Sequence, residues 1–285
     1  MVELQMILEK IKGRLLVIFL GLFIYGCEGQ INKKELLKNY KITNKQYYLT
    51  YQYFTPFEIT VNDLIVLKNI EGNFMGAENL NSYLLKNERQ KIRINIRGSD
   101  WQKGNKISFK DLNSIKLGII ESTSQKDTLI KKFDIESFEN EIPIIEQEWE
   151  FEAELPAYCD NLENSEDLGK WDEKTLEEAV VNRFTELRNL LNNGNGNQVY
   201  TEVKKATEAI FTAEYMDNSE QQEFSTNITD FFTSHKGTML PIENYHLRLM
   251  GNGKAVALEY ATGKLQGLGI LSSEDIKENT QTKRF

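Results

Sequence analysis

The first half of the chain alternates apolar and polar residues with a period of two, which is typical of a β-strand that buries one face. In residues 91–97, three isoleucines fall on one face, and three cationic residues plus Asn95 fall on the other. Residues 47–53 and 57–61 alternate similarly, and the pattern continues through Ile107, Phe109, Ile115, Leu117 and Ile119. Polar turns join these segments and little of the region has a helical pattern. The region therefore predicts an antiparallel β-sandwich over residues 46–156.

The second half changes to the period of amphipathic helices. The first predicted helix begins at Asp172 or Thr175, which are alternative N-caps, and ends at Asn193-Gly194. Its apolar stripe consists of Leu176, Val180, Phe184, Leu187 and Leu191. A second helix is predicted from about Gln198 to Tyr215, and a third begins at a capping-box pattern formed by Ser219 and Gln222.

The chain ends in predicted strands. Residues 245–250 and 254–260 flank a glycine-rich turn and predict a β-hairpin, and a further strand is predicted at 265–271. The whole chain is therefore expected to be α+β: an N-terminal antiparallel β-sandwich, then an α+β domain of about three helices and a C-terminal antiparallel meander. The segment 157–172, which is rich in acidic residues, is the predicted linker, and residues 173–285 form the predicted second domain.

A short apolar run near the start of the chain predicts export. Lys10, Lys12 and Arg14 precede the apolar residues 15–26, as in a secretory signal. A helix of this length spans about 18 Å, well short of the ~30 Å hydrocarbon core of a bilayer, so a stable transmembrane helix is not expected.

Gly26 precedes Cys27, and the segment thereby resembles the lipobox of bacterial lipoproteins. The resemblance implies that residues 1–26 are a signal peptide and that Cys27 is lipidated and begins the mature chain. Residues 27–45 would then tether the protein to the bacterial cell envelope, facing the periplasm or the cell exterior. The alternatives are a plain cleaved signal, an uncleaved anchor, and a segment that is neither.

Two further resemblances are looser. Residues 62–66 and 80–92 are similar to galactose-binding-like jelly rolls, which implies a sandwich and, more weakly, sugar binding. The order of helices and strands in the second half resembles the α+β cones of nuclear-transport-factor-like and cystatin-like proteins. Such cones serve as ligand pockets or as docking modules, so this resemblance implies no single function.

Composition and motifs limit the functions that the chain is expected to have. The formal net charge of −9 argues against nucleic-acid binding, which requires clustered Lys and Arg. The only histidines, His235 and His246, lack metal-binding spacing, and no P-loop, nucleophile elbow or dinucleotide motif is present. We therefore expect no metal, no cofactor and no catalysis. Cys159 would have no intramolecular partner if Cys27 carries lipid, and we interpret it as a small buried hydrophobe.

The most unusual local pattern places five glutamates on one face of a predicted strand, with apolar residues and Gln147 on the other. The glutamates are Glu146, Glu148, Glu150, Glu152 and Glu154. Carboxylates about 6.6–7 Å apart repel each other unless a positive charge lies nearby. The basic face of residues 91–97 is the internal candidate, with solvent alone as the simplest case. The other interpretation is an external cationic partner or a metal.

The sequence therefore favours a lipid-anchored, non-catalytic envelope protein that binds another protein with a basic surface. Its concrete form is an immunity-type lipoprotein that neutralises a cationic toxin. One alternative is a carbohydrate-binding surface lipoprotein that uses exposed aromatics such as Tyr83, Trp101 and Trp171. The other alternative is an envelope enzyme without a recognisable motif.

Overall fold

The computed structural model describes residues 45–53, 55–70, 74–84, 88–98, 101–136, 138–154, 162 and 165–274. In this part of the chain there are four α-helices and ten strands, all paired antiparallel, which confirms the α+β class. The chain divides into two compact units. The first contains the described residues up to 154 together with Thr212–Tyr215. The second contains the described residues within 162–211 and those from 216 onward. The predicted signal peptide, Cys27 and Cys159 lie outside the described residues.

The first unit contains two four-stranded sheets. One has the strand order β4-β1-β6-β7, where β1 is Gln46–Tyr53, β4 Phe74–Asn79, β6 Lys116–Ser122 and β7 Asp127–Phe133. The other has the order β3-β2-β5-β8, where β2 is Phe57–Val61, β3 Leu64–Asn69, β5 Glu88–Arg97 and β8 Ile144–Ala153. The Phe133 and Trp149 rings, 5.1 Å apart, join the two sheets across the interior.

The core of this sandwich follows the predicted alternation. Tyr47, Leu49, Tyr51 and Tyr53 of β1 are buried, and Ile92, Ile94 and Ile96 of β5 are completely buried. The Tyr53 and Phe57 rings stack with centroids 4.1 Å apart, at the point where the chain leaves one sheet for the other. Each fully buried side chain of this size stabilises the fold by about 1.5–3 kcal/mol relative to an exposed one.

The predicted continuation of strand pattern through Ile107 and Phe109 is wrong. Phe109–Ser114 forms a short helix, α1, in which Ser108 is the N-cap and its hydroxyl accepts a hydrogen bond from the backbone N–H of Asp111 at 3.1 Å. Phe109 is 44% exposed, so the strand-like spacing of Ile107 and Phe109 does not mark a common buried face. The local cap outweighed the alternation because it satisfies a backbone donor at the helix start.

The second unit contains three longer helices: α2 Glu173–Asn192, α3 Gly196–Ala213 and α4 Asn218–Ser234. All five residues of the predicted α2 stripe are buried. Asp172 is the N-cap of α2, and its carboxylate accepts from the Thr175 N–H at 3.0 Å. Asn193 is the C-cap of α2 and is followed by Gly194 with φ of +75°, as the sequence predicts.

Helix α4 begins earlier than the predicted capping box at Ser219 and Gln222. Asp217 is the N-cap, and it forms a reciprocal capping box with Glu220. The Asp217 carboxylate accepts from the backbone of Ser219 and Glu220, and the Glu220 carboxylate accepts from the Asp217 N–H at 2.8 Å. Two acidic side chains near the positive end of a helix are stabilising, which favours Asp217 over Ser219.

The predicted C-terminal hairpin is present as β9 Tyr245–Met250 and β10 Ala255–Tyr260. Every residue of β10 is buried. Val256, Leu258 and Tyr260 of β10 share one buried cluster with residues of α2. The C-terminal meander therefore has two strands.

The segment 265–271, predicted as a further strand, consists mainly of turns. Gly263 and Gly267 have φ of +85° and +82°. The chain forms an isolated bridge between Gly269 and Glu259 and a few backbone hydrogen bonds with Leu258 and Tyr260, but no continuous strand. The turn at 262–264 and the segment Leu265 to Leu271 after it suggested a strand, but glycines in the left-handed region interrupt the extended backbone that strand pairing requires.

Two tyrosines of β1 give a matched test of hydrogen bonding in the core. The Tyr53 hydroxyl is buried without a hydrogen-bond partner in the described structure, and burial raises its pKa. The Tyr47 hydroxyl accepts from the Glu154 N–H at 3.0 Å. We expect Tyr53→Phe to leave the free energy of unfolding unchanged or raise it by up to about 1 kcal/mol, and Tyr47→Phe to lower it by about 1 kcal/mol. Urea denaturation of both variants measures the difference, and equal losses in the two would contradict this assignment.

Candidate functional site

The candidate site is the exposed face of β8, an edge strand of its sheet. Exposure along β8 alternates as predicted: the glutamates are exposed, whereas Ile145, Phe151 and Ala153 are buried. We call the five glutamates Glu146, Glu148, Glu150, Glu152 and Glu154 the acidic face. Glu154 follows the last residue of the strand and is also exposed.

The predicted internal neighbour of the acidic face is confirmed by the register of β5 and β8. Ten consecutive residues of β5 pair with β8 without a shift. Arg93 lies opposite Glu148, Lys91 opposite Glu150, Arg89 opposite Glu152 and Asn95 opposite Glu146. The cations of β5 therefore lie beside the carboxylates of β8 on one exposed surface.

Ion pairs concentrate on the middle of the acidic face. A carboxylate oxygen of Glu148 lies 3.0 Å from Arg93 Nη2, its other oxygen lies 3.3 Å from Lys91 Nζ, and Glu150 lies 3.4 Å from Arg89 Nη1. The hydrogen bond from Arg93, helped by Lys91, lowers the pKa of the Glu148 carboxyl. The Arg93 and Glu148 side chains are 57% and 38% exposed, so such a pair contributes only about 0–1 kcal/mol.

The other glutamates differ in their environment. Glu146 accepts a hydrogen bond from the neutral amide of Asn95 at 2.5 Å. Glu154 pairs with Lys45 at 2.9 Å. Neither Glu146 nor Glu152 has an ion-pair partner among the described residues. The acidic face thus keeps unneutralised carboxylates on either side of its paired centre.

Sequence patterning identified the two charged faces and placed them side by side, but it did not predict the individual ion pairs between them. Arg89 lies before the alternating segment 91–97, yet it is the cation that contacts Glu150. Diagonal pairs of this kind depend on the strand register, since a long side chain can reach the carboxylate diagonal to its own position as well as the one opposite. A count of alternating residues that began at 89 instead of 91 would have included it.

The aromatics considered for carbohydrate binding differ in their exposure and surroundings. Tyr83 is buried, and Trp101 is half-buried with the Arg97 guanidinium 4.2 Å above its ring. Trp171 is 38% exposed, and its Nε1 donates to Glu166 at 2.9 Å, but it belongs to the other compact unit.

The two histidines occupy separate positions in the second unit. His235 is the C-cap of α4, and its Nδ1 lies 2.8 Å from the Phe231 carbonyl oxygen. His246 lies on β9 with Nε2 3.5 Å from Glu259, a buried carboxylate that also lies 3.4 Å from Arg248. The sequence did not single out Glu259, because all of β10 is buried and no alternation marks it.

Among the described residues, no group of three or more His, Cys, Asp or Glu side chains is arranged to hold a metal ion. None of the described helices has the length and apolar character needed to cross a bilayer. Comparison of the chain with protein-family models, with curated proteins and with solved structures finds no match.

Proposed function

We propose that this chain is a lipid-anchored, non-catalytic protein of the bacterial envelope that binds another protein through the acidic face. One observation supports the binding role above others: five exposed glutamates follow one edge strand, and Glu146 and Glu152 have no cationic partner in the described structure. The envelope location rests on the lipobox resemblance at Cys27. A thioether-linked diacylglycerol on Cys27 in the mass spectrum of the mature N-terminal peptide would test that anchor.

The charge arrangement favours a basic partner surface. The cations of β5 already neutralise Glu148 and Glu150, so a partner's cations gain most from Glu146 and Glu152. Complementary charge speeds association and selects among partners, and both effects weaken as salt rises. An immunity-type role, in which the acidic face covers a basic cleft of a toxin, is the concrete form of this proposal.

Carbohydrate binding has less support from the side chains. Tyr83 is buried, and Arg97 occupies one face of the Trp101 ring. A sugar stacks on an exposed aromatic face, which the buried Tyr83 does not offer and which Trp101 offers at most on the side away from Arg97.

The acidic face can be tested by reversing its unpaired charges. Pull-downs from envelope extract would use the wild-type protein, the Glu146→Lys/Glu152→Lys variant, and the control Glu139→Lys/Glu141→Lys. Glu139 and Glu141 are exposed and lie before β8, so the control makes the same charge change elsewhere. We expect a protein retained by wild type and control to be lost from the β8 variant. Equal retention by all three baits, or none by any, would contradict the proposal.

A further inference from the structure

The described part of the sandwich has four edge strands, and β8 differs from the other three. Strand β3 is six residues long, and its pairing with β2 shifts register between Ile59 and Thr60. Strand β4 is also six residues long. Strand β7 has seven residues, and its pairing with β6 shifts between Ile119 and Ile120. Strand β8 has ten residues in an uninterrupted register with β5. Among the edge strands that the structure describes, β8 is the longest, and its pairing is regular along its whole length.

Proteins usually protect an edge strand against pairing with another chain by means of lysines, prolines, bulges or short length. Strand β7 shows two of these devices, since Lys131 and Lys132 are exposed and its ladder is irregular. Strand β8 contains no lysine and no proline, and its ladder has no bulge. Its one protective feature is the negative charge of its glutamates.

The outer edge of β8 is free in the described structure. Apart from its ladder with β5, no backbone hydrogen bond of the described residues involves residues 144–153. Besides the contacts of its glutamates with β5 and of Trp149 with Phe133, a hydrogen bond from the Glu136 N–H to Gln147 Oε1 at 3.4 Å also reaches the strand. Alternate residues of an antiparallel edge direct both backbone groups outward, so β8 offers about five N–H and about five C=O groups to an added strand.

The side chains define what kind of strand fits. A residue added opposite each exposed glutamate would face carboxylates, while Arg89, Lys91 and Arg93 lie on their other side. Opposite charges across a ladder are stabilising and like charges are destabilising. A second copy of β8 would place glutamate against glutamate, so the edge discourages self-pairing and favours a strand with cations at alternate positions.

We infer that β8 binds its partner by strand addition: an extended segment of another protein, with Lys or Arg at every second residue, extends the sheet beyond β8. The cations lie against the acidic face, and the intervening residues turn toward the other face of the sheet. This inference rests on the proposed protein-binding function and specifies the chemistry of the partner.

The test uses labelled ten-residue peptides and fluorescence anisotropy with the full chain. One peptide alternates lysine with threonine or valine, and a second has the same composition with its lysines grouped together. Two further peptides keep the alternating sequence but carry N-methyl groups, either on the lysines or on the intervening residues. Only one of these two sets of N–H groups points toward β8 in an added strand.

We expect the alternating peptide to bind at least about tenfold more tightly than the grouped peptide. One N-methylated peptide should lose at least about tenfold in affinity, and the other should keep it. The Glu146→Lys/Glu152→Lys variant should bind the alternating peptide more weakly by a similar factor, whereas the Glu139→Lys/Glu141→Lys variant should bind it as wild type does.

The outcomes separate strand addition from the broader proposal. If all four peptides bind equally and all depend on the β8 glutamates, strand addition is wrong, while recognition of a basic partner by the acidic face stands. If no peptide binds at low salt, strand addition is again wrong, and the pull-down decides the proposed function independently. If N-methylation weakens binding on one set of alternate residues but not on the other, this would support strand addition even if the extract holds no partner.

Discussion

Asn81→Asp is expected to lower the free energy of unfolding by about 3–5 kcal/mol, although the two side chains have nearly the same shape. Asn81 is completely buried. Its Oδ1 accepts from the Tyr47 N–H at 2.9 Å, and its Nδ2 donates to the Lys45 carbonyl at 3.0 Å. Aspartate keeps the acceptor but loses the donor. It also places a carboxylate oxygen beside a carbonyl oxygen without solvent.

The loss should depend on pH in a defined direction. Burial raises the folded-state pKa of a carboxyl at this position above its unfolded value, because the charged form is desolvated. The variant is then least impaired below the unfolded pKa, where both states are protonated and the carboxyl O–H can donate. Its deficit against wild type grows as pH rises through the folded-state pKa. Urea denaturation of both proteins at several pH values between about 4 and 8 measures this deficit.

An exposed asparagine provides the control. Asn105 lies on the surface, so Asn105→Asp makes the same chemical change where water can solvate the charge. We expect it to change stability by less than about 0.5 kcal/mol at every pH. A pH-independent loss at Asn81, or a loss as large at Asn105, would show that burial of the carboxylate is not the cause.

The sequence could predict the strands of the sandwich because their pattern is local. Ile92, Ile94 and Ile96 alternate with polar residues, and period-two burial is the direct consequence of a pleated strand with one solvated face. The sheet order could not be predicted in the same way. Which strand becomes an edge depends on pairing between distant segments, and only that pairing makes β8 an edge strand.

Polar residues inside the fold were missed for a related reason. Asn81 follows Leu80 in a segment that resembles part of a jelly roll, and nothing adjacent in sequence marks it as buried. Its hydrogen-bond partners at Lys45 and Tyr47 lie more than thirty residues away. The helical stripe of α2 was predictable in full, since all of its positions repeat within a single element.

The two faces of β8 have different roles: the buried face stabilises the sandwich, and the exposed face carries the proposed binding role. Phe151 and Ala153 are buried, and the Trp149 ring contacts Phe133 across the sandwich. The exposed glutamates contribute little to stability, because solvated ion pairs are weak. Charge reversals at Glu146 and Glu152 should therefore change binding without unfolding the protein, which makes them suitable probes of the proposed function.

Gly196→Val is expected to lower the free energy of unfolding by about 3 kcal/mol, through the close approach of α3 to α4. A Cβ atom at Gly196 would lie 2.5 Å from the Thr229 carbonyl oxygen and 2.9 Å from the Thr233 backbone nitrogen, and closer still to Thr233 Oγ1. These are atoms of the last turns of α4, and two of the three belong to the backbone. Backbone atoms cannot rotate away from an added side chain, so the start of α3 must move outward.

Two variants separate this clash from other effects of valine in a helix. Asn197 is exposed at the next position of α3, so Asn197→Val tests the cost of a β-branched residue there without crowding, which we expect to stay within about 0.5 kcal/mol. Thr233→Ala in the Gly196→Val background removes the nearest atom and should restore part of the lost stability, measured by thermal and urea denaturation. Equal losses in Gly196→Val and Asn197→Val, or no recovery with Thr233→Ala, would show that close approach of the helices is not what requires glycine at this position.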